Sequence, residues 1–106
     1  MDIAREARRA VEGGRVFLVD FFGRSRFFLV ESRDRKRAYV VIPGLYCSCP
    51  DYLFSVFLRG RRRACYHMVA AELAMREGKY RVLRVEDDEG WSRVYRRIAA
   101  GVLGLR

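Results

Sequence analysis

The sequence predicts a single small α+β domain, an antiparallel β-meander with flanking helices, and three observations predict it. Segments 2–12, 66–77 and 88–103 repeat apolar side chains at helical spacing. Segment 16–42 holds three runs of β-branched and aromatic residues separated by short polar turns. All three cysteines and the one histidine fall within 47–67, from the end of the strand runs into the first turn of the second helix. With 106 residues, 51% of them hydrophobic, the chain has material for one core and none to spare for a second domain.

The first helix, 2–12, takes Asp2 as its N-cap and Gly13-Gly14 as its stop. Ile3, Ala7, Ala10 and Val11 share one face, and Arg5, Arg8 and Arg9 lie opposite, either as a solvated surface or as a nucleic-acid contact. Three strands follow at 16–22, 26–31 and 37–42. The first has Phe17, Val19 and Phe21 on one side and Val16, Leu18 and Phe22 on the other, so both faces of the sheet require cover. Pro43-Gly44 then turns the chain into the cysteine-bearing loop.

Beyond Cys65 a helix runs to about 77, where Gly78 ends it. Tyr66, Val69, Ala70 and Leu73 line one side of it, and Met68, Ala71 and Met75 another. A helix apolar on two sides lies between two layers, here the sheet and either the C-terminal helix or a partner protein. Met68 and Met75 are accordingly candidate partner contacts, because thioether side chains adapt to imprecise surfaces. Segment 80–86 alternates as an edge strand. Asp87-Asp88-Glu89 then caps a final helix to about 103, with Trp91, Val94, Tyr95, Ile98 and Val102 on one stripe and Arg93, Arg96 and Arg97 opposite.

The cysteine loop has metal-ligand spacing. In Cys47-Ser48-Cys49 an extended backbone points both sulfurs to one side, about 6–7 Å apart along the chain. In Cys65-Tyr66-His67 a continuous helix would set the two side chains on nearly opposite faces, so Cys65 precedes the helix and His67 sits in its first turn. Three thiolates and one imidazole complete a tetrahedral shell around Zn²⁺, at about 2.3 Å for sulfur and about 2.0–2.1 Å for nitrogen. A filled shell is that of a structural ion, and in a chain this short a metal staple supplements a modest core. Buried thiols, or a redox pair at Cys47 and Cys49, would leave the position of the sole histidine unexplained.

The string Cys-x-Cys, a variable gap and Cys-x-His resembles the SWIM zinc finger. Tyr39-x-Val41, the run Cys47-Ser48-Cys49-Pro50-Asp51-Tyr52 and the helix after His67 extend the resemblance over about 26–77. Within that class, Cys65-x-His67-x-x-Ala70 is similar to the extended signature of the SWIM subunit of the Shu recombination-mediator complex. That resemblance implies a small accessory subunit that works in DNA recombination or repair through a recombinase paralogue. Many SWIM fingers carry lysine before the histidine, where this chain has Tyr66.

Charge points the same way as far as it goes. Lysine and arginine number 22 against 13 acidic residues, a net charge of +9, which three thiolates and one Zn²⁺ lower to about +8. Such a field favours polyanions, most simply DNA. The insert between the ligand pairs starts apolar and ends Arg59-Gly60-Arg61-Arg62-Arg63, a basic tip anchored at both ends by ligands. Arg59, Arg61, Arg62 and Arg63 are candidate phosphate contacts, as are Arg93, Arg96 and Arg97, while part of the tip's charge balances the thiolates. Tyr46, Tyr52, Phe54, Phe57 and Tyr66 are candidates for base stacking or for the core.

Enzymatic chemistry is not expected. No Gly-rich phosphate loop occurs, and the metal takes the histidine and every cysteine. No apolar run reaches the length of a membrane span, and the N-terminus lacks the apolar segment of a signal peptide. With thiols kept reduced for the metal, the expected location is the cytoplasm, at the nucleoid, or a nucleus. Two functions remain: a nucleic-acid-binding accessory module working with a protein partner, or a purely protein-interaction module, adaptor or homo-oligomer, with no direct DNA contact. Neither needs a small-molecule substrate.

Overall fold

The computed structural model of the chain describes residues 2–23, 25–50, 52, 58, 60 and 64–103. Helix α1 (Ile3–Glu12) opens it. The Asp2 carboxylate accepts the Arg5 backbone N–H at 3.1 Å, satisfying one of the orphan donors at the helix start. Strands β1 (Val16–Phe21), β2 (Ser25–Glu31), β3 (Ala38–Ile42) and β4 (Tyr46–Cys47) pair antiparallel in succession, as a meander. Helix α2 (Tyr66–Glu77) crosses the sheet and delivers β5 (Arg81–Val85), after which α3 (Asp88–Leu103) ends the described chain. Sheet order is β4-β3-β2-β1-β5.

One strand departs from the meander. β5 takes an edge, as its alternation predicts, but it runs parallel to β1, so the sheet is mixed. The cause is α2: a helix that leaves β4 at one edge and crosses the face returns the chain to the far edge in the direction of β1.

The sheet divides the core by residue parity. Val16, Phe28, Val30, Tyr39 and Val41 face α1 and α2, whereas Val19, Leu29, Ala38 and Val85 face Val94 of α3. Both faces are therefore covered, as the doubly apolar strands require. The second layer against α2 is α1, where the sequence pattern pointed to the C-terminal helix or a partner. Ala7, Ala10, Ala70, Ala71 and Ala74 are all fully buried, and such small side chains let the two helices and the sheet approach closely. Arg8 clips the pair with a bidentate bond to Glu77, at 2.6 and 2.8 Å.

Glu31 joins the layers at the end of β2. Its carboxylate is 5% exposed, accepts from Arg35 at 2.9 Å and pairs with Arg97 of α3. Its backbone carbonyl takes the Arg15 guanidinium at 3.1 Å. A buried carboxylate held by two cations meets its desolvation cost, and Arg97 is half-buried in doing so.

Candidate metal centre

Each ligand is placed by a separate local device. Ser48 binds β3 twice, its N–H to the Val40 carbonyl at 3.0 Å and its hydroxyl accepting the Val40 N–H at 2.9 Å. That pins the extended Cys47-Ser48-Cys49 segment, so residues i and i+2 turn their sulfurs to one side. Cys65 is the N-cap of α2, with extended dihedrals of −89° and 170° and no side-chain capping bond, which leaves its sulfur available. His67 follows in the first turn. Its imidazole lies against two tilted rings, Tyr66 at 4.0 Å and Tyr39 at 4.4 Å between centroids. These tyrosines fix the ring's orientation, a supporting role that sequence reading missed because neither is a ligand type.

The four ligand atoms lie within 4.8 Å of one another, and all four residues are buried. A tetrahedron with zinc–sulfur bonds of about 2.3 Å has edges of about 3.8 Å, so the cage closes on an ion with small adjustments. Two observations test the fit. Among the described residues, both nitrogens of buried His67 lack any hydrogen-bond partner, a costly state that a metal bond to one of them relieves. The three sulfurs also compete for negative charge. Hydrogen bonds donated by the Cys47 thiol to Cys49 and Cys65, with burial, hold it far above its ordinary range. Hydrogen bonds from Cys47 and Cys49 pull Cys65 far below it. Contact with Cys47 lowers Cys49, but Cys65 and burial outweigh this and push it up to about 12. Three buried sulfurs this close repel one another when ionised, and a divalent cation among them offsets that repulsion. None of the cysteines forms a disulfide. The donor set and its closure fit one structural zinc ion, with no coordination position left open.

A buried Cys₃His cage pinned between a sheet edge and a helix N-terminus defines a zinc-finger class of protein. Comparison with known proteins narrows it. A zinc finger SWIM domain-containing protein 7 homolog from Dictyostelium discoideum is 34% identical over 68 residues, 64% of this chain and 44% of that protein. The chain is similar to that SWIM domain-containing zinc finger protein over a stretch of 68 residues, holds a Cys-x-Cys…Cys-x-His cluster, and spans less than half the length of that relative. No family model matches it, and no solved structure does.

The basic clusters fare unevenly. Arg59, Arg61, Arg62 and Arg63 lie outside the described residues, as do Phe54 and Phe57. Arg96 is exposed on α3, and Arg93 is exposed beside Glu89 at 3.3 Å. Arg97 is turned to Glu31 rather than to solvent, which removes it from the α3 basic face because a buried carboxylate needs its charge. On α1, Arg8 and Arg9 are engaged with Glu77 and Glu6. The α1 and α3 clusters sit on opposite faces of the sheet and do not form one surface. Met68 is 5% exposed and packs in the α1/α2 core, so it is no partner contact; Met75 is 50% exposed. Among the described residues, no helix is long and apolar enough to cross a membrane.

Proposed function

We propose that the chain is a zinc-stabilised nucleic-acid-binding and protein-interaction module, an accessory factor in DNA recombination or repair that acts with a recombinase paralogue. Its SWIM-type metal site carries the reading, since the resemblance to the Shu-type SWIM subunit rests on the same ligand string. The net charge of +9 supports the nucleic-acid half. The module has no enzymatic role in this reading, because the four protein ligands fill the zinc shell.

A purely protein-binding reading has its own support. Ile42, Leu45 and Tyr46 are 43%, 71% and 44% exposed along the β3–β4 corner beside the metal cage. Exposed apolar side chains grouped at one edge are what a protein interface uses.

Fluorescence anisotropy of labelled single-stranded and duplex oligonucleotides, titrated with zinc-loaded protein across a salt series, separates the two. Nucleic-acid binding should weaken linearly in log–log terms with a slope corresponding to about four or more phosphate contacts. The double variant Arg61→Glu, Arg63→Glu should lose that binding while keeping its circular dichroism. Absence of binding to either oligonucleotide at low salt moves the protein-only reading to first place.

A further inference from the structure

The two edges of the sheet differ. β4 forms one edge and is two residues long, too short to receive another strand. β5 forms the other with five residues, and among the described residues no strand pairs with its outer side. The Val85 carbonyl accepts the Phe22 N–H at 2.8 Å, so Val85 turns its backbone groups toward β1. Alternation does the same for Arg81 and Leu83, and it turns the N–H and C=O of Val82 and Arg84 outward. The side chains of Arg81, Val82 and Arg84 are exposed. The strand holds no proline and its register with β1 is unbroken, so this edge is a template for a further strand.

The edge is also complementary to itself in charge. Lys79 and Arg81 stand at its start, Glu86 and Asp87 at its end. Arg81 and Glu86 make no hydrogen bond or ion pair with another described residue. An antiparallel copy of the same segment therefore brings the basic start of one against the acidic end of the other. Outward backbone groups must face outward groups, so the two-fold axis passes through a residue and not between two. An axis at Arg84 would oppose two guanidinium groups, and an axis at Val82 would leave Asp87 with no cation opposite it. An axis at Leu83 avoids both. It puts Lys79 opposite the second copy's Asp87, Arg81 diagonal to that carboxylate, and Val82 opposite Arg84, whose methylene stem covers it.

We propose that β5 is a self-association edge, to which a second copy of this chain adds its own β5 antiparallel about Leu83. Val82 of each copy then exchanges both backbone hydrogen bonds with Arg84 of the other. A groove of about 580 Å³ lies between β5 and α3, with Leu83, Val85 and Val94 in its lining. Leu83 and Val85 point to the α3 side of the sheet, so the second copy's Leu83 enters this groove and covers its apolar floor. The joined sheet takes five strands from each copy, and both metal cages stay at its outer ends because β4 is the far edge. Pairing at β5 is independent of nucleic-acid binding, so its failure would leave the proposed function standing.

The test uses the zinc-loaded full chain under reducing conditions. Sedimentation over a concentration series should show the mass rise from one chain to two. Amide hydrogen exchange followed by NMR should slow at Val82 and Arg84 as concentration rises, whereas Leu83 and Val85, bonded to β1 within one chain, should be protected throughout. Val82→Pro removes only an outward N–H, so it should keep the circular dichroism of the parent and lose the dimer. Arg81→Glu sets like charges together twice by symmetry and should weaken the dimer by about tenfold. If Val82→Pro does not fold, Arg81→Glu and the amide pattern decide. A chain that is monomeric at every concentration overturns the proposal. A dimer that survives Val82→Pro, with Val82 and Arg84 amides exchanging freely, overturns it too, because the contact then lies elsewhere, as at the apolar β3–β4 corner. A dimer lost in Val82→Pro but unchanged in Arg81→Glu overturns the Leu83-centred register.

Discussion

At the scale of single residues, chemistry that few side chains can perform is legible, and chemistry that many can perform is not. Cys47, Cys49, Cys65 and His67 stand out because thiolate and imidazole ligands are scarce in this chain, and the cage assembles from just those four. Arginine is plentiful, so its role at a given position depends on which carboxylate lies near it. Arg8 meets Glu77 across 69 residues of sequence, and nothing local signals it. Asp34 offers a residue-scale prediction. The Lys36 backbone N–H, then the Ser32 hydroxyl, hold its carboxyl below the usual range. A folded-state value below the unfolded one contributes stability at pH above the ordinary carboxylate range, and that contribution is lost as pH falls through the depressed value. Carboxyl titration by NMR should therefore find Asp34 below the ordinary aspartate range. The β2–β3 turn resonances should shift together as it protonates, and the Asp34→Asn variant should lack that transition. A titration at the ordinary value would mean that the turn is not tied through Asp34.

At the scale of elements, periodicity placed helices and strands well, since burial of one face imposes the repeat that the sequence displays. Boundaries agree where a cap marks them: Asp2 caps α1, the Asp87 carboxylate accepts the Gly90 N–H at 2.6 Å to start α3, and Gly78 ends α2. Gly78 lies at φ 66°, ψ 24°, in the left-handed region, and a Cβ there would meet nothing within 4 Å. Gly78→Ala should therefore cost about 1 kcal/mol through backbone strain alone, read as a lower denaturant midpoint at constant slope. An unchanged midpoint would show that the α2 terminus does not depend on that conformation. What periodicity could not tell was which layer each apolar face meets. The two-sided pattern of α2 is satisfied by α1 on one side and the sheet on the other, and Met68 is consumed there. Its candidacy as a partner contact assumed a neighbour that α1 already supplies.

At the scale of the whole molecule, the metal joins parts that share little else. β4 is two residues long, and α2 begins on a zinc ligand, so the cage links the sheet edge to the crossover helix. Structural zinc sites bind with about 10–16 kcal/mol of apparent free energy, comparable to the roughly 5–15 kcal/mol of a small domain's total stability. Complete chelation, or Cys49→Ser, should accordingly abolish most of the helical circular dichroism, and readdition of Zn²⁺ to the chelated protein should restore it. A spectrum unchanged after verified metal removal would overturn the structural role of the ion.

The sequence by itself determined the ligand set, the three helices, four of the five strands and the positive field, because each follows from residue identity or from a period set by local backbone geometry; the two-residue β4 is too short to show a period. Tertiary structure alone decided that β5 runs parallel, that α1 rather than α3 backs α2, that Arg97 serves Glu31, and that the α1 and α3 basic clusters are separated by the sheet. It also made a groove from the β2–β3 turn, β3 and α2 beside the metal. These outcomes depend on contacts between residues far apart in the chain, where ion pairing and layer packing are settled by proximity, and proximity is what a one-dimensional pattern does not contain.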